Sequence, residues 1–208
     1  MASKIIVDQL QTTSLALNPL TLPASNATAN QYLQDNGSGV LNWSTVNSPA
    51  FTSYAVIADH KTSGTSGGTF TSGSWQTRDL QTTVTDEDSI VTIATNAFTL
   101  LTGAYLICWS APALWAESHQ TRLYDVTGTA GVGTGSSEYS ASVPGGYPGS
   151  INQVVNRSVG SARVNISGAS NVYTIEHRCS ATTSSEGWGV AGSFGTEVYT
   201  IVEIYKEA

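Results

Sequence analysis

Apolar and polar positions alternate with a period of two along most of this chain, and the clearest case is its last stretch. In residues 195–208, Val198, Thr200, Val202 and Ile204 fall on one side of a strand, and Tyr199, Ile201, Glu203 and Tyr205 on the other. Both sides are mostly apolar. That suits a central strand with one face in a core and the other, carrying tyrosines with polar tips, against another subunit. The same spacing predicts strands at 53–59, 75–80, 89–93, 98–101, 104–112, 120–126, 138–142, 151–159, 162–166, 172–179 and 188–191, with loops at 63–68, 127–135, 143–149 and 182–187. No stretch carries a good helical period, and turn signals recur about every 8–12 residues, the pattern of an all-β sandwich or jelly roll.

Residues 1–50 read differently. Ile5, Val7, Leu10, Leu15, Leu17, Leu20 and Leu22 are spaced without helical period, and Pro19 and Pro23 oppose a helix here. Asn36-Gly37 is a strong turn signal, with Tyr32-Leu33-Gln34 and Val40-Leu41-Asn42-Trp43 as hairpin arms. So short a segment buries little alone, and its apolar residues call for partners, most simply the same segment of other subunits. With Asn47-Ser48-Pro49 as the junction, the reading is an arm over 1–50 and a sandwich over 51–208.

Composition sharpens this picture. The 208 residues are 40% hydrophobic and only 11% charged, well below the usual quarter. Ser, Thr, Gly and Asn fill the difference, as strands and turns require. So little charge fits a surface shared within an oligomer better than a free monomer. The net charge is -7, lysine is limited to Lys4, Lys61 and Lys206, and the arginines are scattered, which excludes a nucleic-acid footprint. No apolar run reaches the ~20 residues of a membrane span. The N-terminus lacks a signal-peptide h-region, so synthesis and retention in a cytosol are expected. Cys108 and Cys179 lie in strand-like runs and read as buried reduced thiols.

Candidate chemistry is sparse. Asp86-Glu87-Asp88 has neither the glycine nor the later glutamate of a calcium loop and reads as a solvated turn. His60, His119 and His177 lack metal-ligand spacing; His177 shares a strand face with Tyr173, Ile175 and Cys179 and reads as a core histidine, whereas His119 reads as a surface or binding histidine in a loop. No Gly-x-Ser-x-Gly elbow is present, and the glycine-rich stretches lack the strand-then-helix context of a phosphate cradle. Asn26, Asn156 and Asn165 start sequons that have no use without a secretory route. No catalytic, cofactor-binding or metal-binding residue is assigned. What stands out is aromatic residues in predicted loops among Ser, Gly and Asn: Trp115, Tyr139, Tyr147 and Trp188, a paratope-like and sugar-compatible composition.

Two stretches carry a family resemblance. Leu22-Pro23-Ala24 with Ala29-Asn30-Gln31-Tyr32-Leu33-Gln34-Asp35-Asn36-Gly37-Ser38-Gly39-Val40-Leu41-Asn42-Trp43 resembles a module of tailed-phage fibre and other virion proteins, particularly of marine and cyanobacterial phages. The run 103–112, with 119–124, 159–163, 175–179 and 195–205, is similar to C-terminal head domains of phage and large-virus structural proteins. Those heads look like the trimeric jelly roll of the tumour necrosis factor and complement globular-head superfamily. The resemblance implies a homotrimer with the last strand near the three-fold axis, placing Tyr199, Ile201 and Tyr205 at the subunit interface. It also implies that residues 1–50 join other virion proteins, and that loops around Trp115, His119, Tyr139, Tyr147 and Trp188 contact a host glycan or receptor. The expected function is a non-enzymatic virion fibre or spike with an adhesive knob. The alternative is a purely structural head-decoration, collar or neck protein. A depolymerase or esterase is disfavoured, because no carboxylate pair or triad is located.

Overall fold

The computed structural model describes residues 9–10, 20–45, 50–140 and 155–208. The chain divides into two compact units, Met1–Pro49 and Ala50–Ala208.

In the first unit, β1 (Gln9–Leu10) pairs antiparallel with β2 (Leu20–Thr21), and β3 (Gln31–Asp35) with β4 (Leu41–Thr45). The β3–β4 turn is closed by side chains. Asp35 Oδ1 accepts from Gly37 N at 2.8 Å, and Asn36 Oδ1 accepts from Ser38 N at 2.9 Å. Gly37 and Gly39 both sit at φ 80°, a region that glycine enters without Cβ strain. The hairpin read from Asn36-Gly37 therefore forms, and it leaves Tyr32, Leu33 and Val40 exposed.

The second unit holds β5 (Phe51–Lys61), β6 (Gln76–Thr77), β7 (Thr82–Asp86), β8 (Val91–Ala94), β9 (Ala97–Leu114), β10 (Glu117–Asp125), β11 (Ala130–Ser140), β12 (Val155–Cys179) and β13 (Glu197–Glu207). Every pairing between these strands is antiparallel. They form a two-layer sandwich of jelly-roll type, as the alternation predicted. One layer runs β7–β5–β13–β9–β12, using residues 103–114 of β9 and 155–166 of β12. The other runs β11–β10–β12–β9–β8, using residues 170–179 of β12 and 97–101 of β9. β13 is hydrogen-bonded on both edges, to β5 and β9, and so is central.

β9 and β12 each belong to both layers. The glycines at 103 and 168, read as breaks between strands, are corners within strands. In β9 the buried positions are Phe98 and Leu100, then Tyr105, Ile107 and Trp109; the inward face changes parity across Gly103, at φ 147°. Opposite it, β12 slips register between Ile166 and Ser170, and its inward positions change from Val164 and Ile166 to Tyr173, Ile175 and His177. A bulge that shifts the side-chain phase is what allows one strand to pass from one sheet to the other. The core between the layers is Ala55, Ile57, Leu80, Phe98, Leu100, Ile107, Trp109, Leu123, Ile175, Val202 and Ile204.

Two expectations change. The glycine-rich stretch 127–135, read as a loop, mostly belongs to β11. Its glycines make space: a Cβ on Gly133 would lie 3.0 Å from Trp109 Cη2, and one on Gly160 of β12 would lie 2.2 Å from Trp109 Cζ2. Residues 188–191, read as a strand, are irregular. Gly189 sits at φ 134°, outside strand geometry, and a Cβ there would strike the Tyr199 ring at 2.3 Å.

Candidate functional site

The closing strand was expected to alternate cleanly, and it does not. Its pairing with β5 slips between Val198 and Ile201. The slip turns Val198 outward, 40% exposed, and Tyr199 inward, 4% exposed. The Tyr199 hydroxyl donates to Thr65 O at 2.7 Å, and burial together with nearby carboxylates pushes the phenol up to about 12. Tyr199 thus fastens a loop within its own chain and is buried where an interface position was expected. Beyond the slip the alternation resumes: Thr200, Val202 and Ile204 are buried, while Ile201, Glu203 and Tyr205 are half-buried on the outward face. There the Tyr205 ring lies 4.8 Å from Tyr54 and 5.2 Å from Phe51, and the Tyr54 hydroxyl donates to Glu203 Oε1 at 3.0 Å. Burial and Glu203 raise the Tyr54 phenol to about 12. Leu106 and Cys108 of β9 flank this face, whose aromatic cluster is bordered by Glu203 and by the Arg163–Glu207 ion pair.

The expected contact residues fall in different places. Trp115 sits at φ 49° in the turn between β9 and β10, half-buried, with Thr183 Oγ1 donating to its carbonyl at 2.8 Å. Trp188 packs inward: the Arg78 guanidinium lies 4.6 Å over its ring, and its edge meets Phe70. Arg78 is fully buried, donates to Thr200 Oγ1 at 2.9 Å and to Trp188 O at 3.0 Å, and is pulled down to about 9 by loss of solvent. Trp188 therefore covers a buried cation. Tyr147 lies outside the described residues. His119 is on β10 and only 4% exposed, not in a surface loop, because the β10 side chains facing the core are the odd-numbered ones. Tyr139, on β11, is 60% exposed.

Tyr139 and His119 meet at a groove of about 670 Å³ on the β11–β10–β12 layer. Ser118, Gln120, Ser137, Glu138, Tyr139, Arg178 and Ser180 line it, Ser72, Gly73 and Trp75 from the β5–β6 connection wall it, and His119 and Cys179 lie at its base. The connection is tied down: Gly73 N donates to Cys179 O at 3.2 Å, and Ser72 N to Thr182 Oγ1 at 2.9 Å. Trp75 is braced by the Arg122 guanidinium, 4.4 Å from its ring centre, and Arg122 is held by Glu176 at 2.6 Å. Gln120 Nε2 donates to Gly135 O at 3.1 Å and to Ser137 Oγ at 2.8 Å, which leaves its carbonyl oxygen to accept.

A hydrogen-bond chain runs inward beneath the groove. Asn156 Nδ2 donates to Tyr139 O at 3.1 Å, so Asn156 Oδ1 is the acceptor facing His119 Nε2 at 2.7 Å. His119 Nδ1 in turn faces His177 Nε2 at 2.9 Å. Desolvation lowers the proton affinity of both rings, and Arg78 adds to it; the Asn156 bond and Glu138 work the other way at His119.

Sequence reasoning missed Trp75, Gln120 and Arg178. Arg178 was within reach: if His177 and Cys179 face the core, the residue between them faces outward. Trp75 was not, since only the folded β5–β6 connection carries it over to β10.

The sequence matches no protein-family model, and no curated protein matches it. Among solved structures, the globular domain of zebrafish complement 1qA protein is similar at 13% identity and a TM-score of 0.45, covering 74% of this chain and 95% of that one. Murine APRIL is similar at 9% identity and a TM-score of 0.42 in crystals at pH 8.5, covering 74% of this chain and 98% of that one.

Proposed function

We propose that this chain is the subunit of a homotrimeric phage virion knob, a non-enzymatic fibre or spike component, made in the host cytoplasm, whose sandwich adheres to the host surface. The observation that carries the reading is the groove at Trp75, Gln120, Tyr139 and Arg178: an open, preformed cleft lined by aromatic rings and hydroxyls on a rigid sheet. Trimer formation is supported by the outward face of Phe51, Tyr54, Ile201 and Tyr205, whose clustered aromatic rings suit burial against another copy. The resemblance of residues 22–43 to virion modules supports attachment to other virion proteins through the first unit. Three weak sites on one axis would then act together, raising avidity without tight single-site binding. Purified protein should bind host cells and block infection; failure of both sinks the adhesive reading.

A second reading is a purely structural virion component. The exposed Tyr32, Leu33 and Val40 of the hairpin favour it, because apolar surface of this kind suits packing against neighbouring virion proteins. Electron microscopy of labelled particles separates the two: a tail-tip position supports adhesion, and a capsid or collar position supports the structural role.

A further inference from the structure

We propose that the groove binds a carboxylate-bearing sugar, with Arg178 taking the carboxylate and Trp75 and Tyr139 taking the apolar faces of the pyranose rings. This rests on reading the groove as the adhesive site and narrows it to one ligand class.

The disposition of cations is the first argument. Lys61 is held by Asp59 and Asp79, Arg122 by Glu176 and Arg163 by Glu207. Arg78 is buried, and Arg157 is used by Ser110 and the Tyr199 carbonyl. Among the described residues Arg178 and Lys206 have no ion pair or side-chain hydrogen bond, and of the two it is Arg178 that is exposed in the groove. A guanidinium offers a planar fork that matches a carboxylate in two parallel bonds. In a chain of net charge -7, an anionic ligand needs such a local cation to be held at all.

The rest of the lining selects a sugar over a simple anion. Ser118, Ser137 and Ser180 can donate or accept, and the carbonyl oxygen of Gln120 is left to accept. A ligand carrying hydroxyls beside one carboxylate meets all of these groups. The volume falls within the range of small-ligand clefts. Trp75 is preset by the Arg122 guanidinium over its ring, so little of its side-chain freedom remains to be lost on binding.

The test uses the purified full chain with a hexuronic-acid oligosaccharide, its carboxyl-reduced counterpart and a sulfated neutral counterpart, read by calorimetry and saturation-transfer NMR. The uronate should bind about tenfold or more tighter than the reduced sugar, as a lost charge-assisted bidentate contact implies. Arg178→Gln should remove that preference and leave the thermal midpoint unchanged. Tyr139→Ala should weaken both sugars. Equal affinity for the uronate and reduced sugars overturns the proposal, as does undiminished uronate binding by Arg178→Gln. Equal affinity for the sulfated sugar overturns the carboxylate assignment. If no sugar binds while the protein still coats host cells, the ligand class is wrong and adhesion stands. If uronate binds through Arg178 but cells are not coated, adhesion fails and the site stands.

Discussion

His119 Nδ1 lies 2.9 Å from His177 Nε2, with both rings buried, and the contact fixes the proton positions of the pair. Asn156 Oδ1 accepts from His119 Nε2–H, so His119 Nδ1 carries a lone pair and His177 Nε2–H donates to it. His177 Nδ1 is then a bare acceptor, and it has no partner among the described residues. An added proton has only that buried position, close to the Arg78 charge. Both histidines are therefore held neutral, below the unfolded value of about 6.5. Their contribution to stability is complete above that value and is lost as pH falls below it, because the unfolded chain takes up protons that the folded chain refuses. The thermal midpoint should fall between pH 7 and 5, and His177→Gln should flatten that slope. A slope unchanged in the variant would exclude the pair as its source. The lowered carboxyls of Glu197 and Glu207 act in the same direction, but only at more acidic pH.

Gly160→Ala should destabilise the sandwich by about 2–3 kcal/mol, the range of an overpacked core, because the new methyl meets the Trp109 ring at 2.2 Å. Gly168→Ala meets nothing within 4 Å and should cost little. Urea midpoints of the two variants test the contrast, and equal midpoints would refute the packing argument.

In the proposed trimer, Tyr199 and Tyr205 separate fold from assembly. Tyr199→Phe removes the hydrogen bond to Thr65 O and should cost about 1 kcal/mol of stability with the oligomer intact. Tyr205→Asp places a charge among Phe51, Tyr54 and Ile201 and should yield folded monomers. Light scattering with circular dichroism distinguishes these outcomes. A Tyr205→Asp protein that stays trimeric moves the interface elsewhere.

Glu197 accepts backbone hydrogen bonds from Gly64, Gly192 and Ser193 and so clasps two loops beside the last strand. Glu197→Gln should speed amide exchange at these three positions while core amides such as that of Val202 keep their protection. Unchanged exchange at all three would show that the loops hold without the carboxylate.

The sandwich was legible because alternation depends only on which face of a strand meets the core. That logic placed Val202 and Ile204 inside and made β13 central, while the Asn36-Gly37 turn signal located the hairpin. It failed wherever the phase slips. The irregularity between Val198 and Ile201 exchanges the faces of Val198 and Tyr199, and alternation cannot announce its own interruption. It failed also where glycine serves packing: Gly133 and Gly160 accommodate the Trp109 ring, but in sequence they look like turns. Of the groove, Tyr139 was visible as an aromatic among small polar residues. His119 was found for the wrong reason, since it lies beneath the surface and not on it. Trp75 depends on a long-range approach that no local pattern encodes.

Because β9 and β12 run through both layers, the two sheets share their backbone as well as their core. One layer cannot peel away while the other persists, so the sandwich should melt in a single step, with coincident transitions by different probes. The same continuity delays assembly. Leu114 pairs with Val155 and Phe98 with Tyr173, contacts that close only after long loops have been ordered. A chain dominated by such distant pairings folds on the slow side, in milliseconds to seconds, and a newly made chain passes through a period with unpaired strand edges before the sandwich closes.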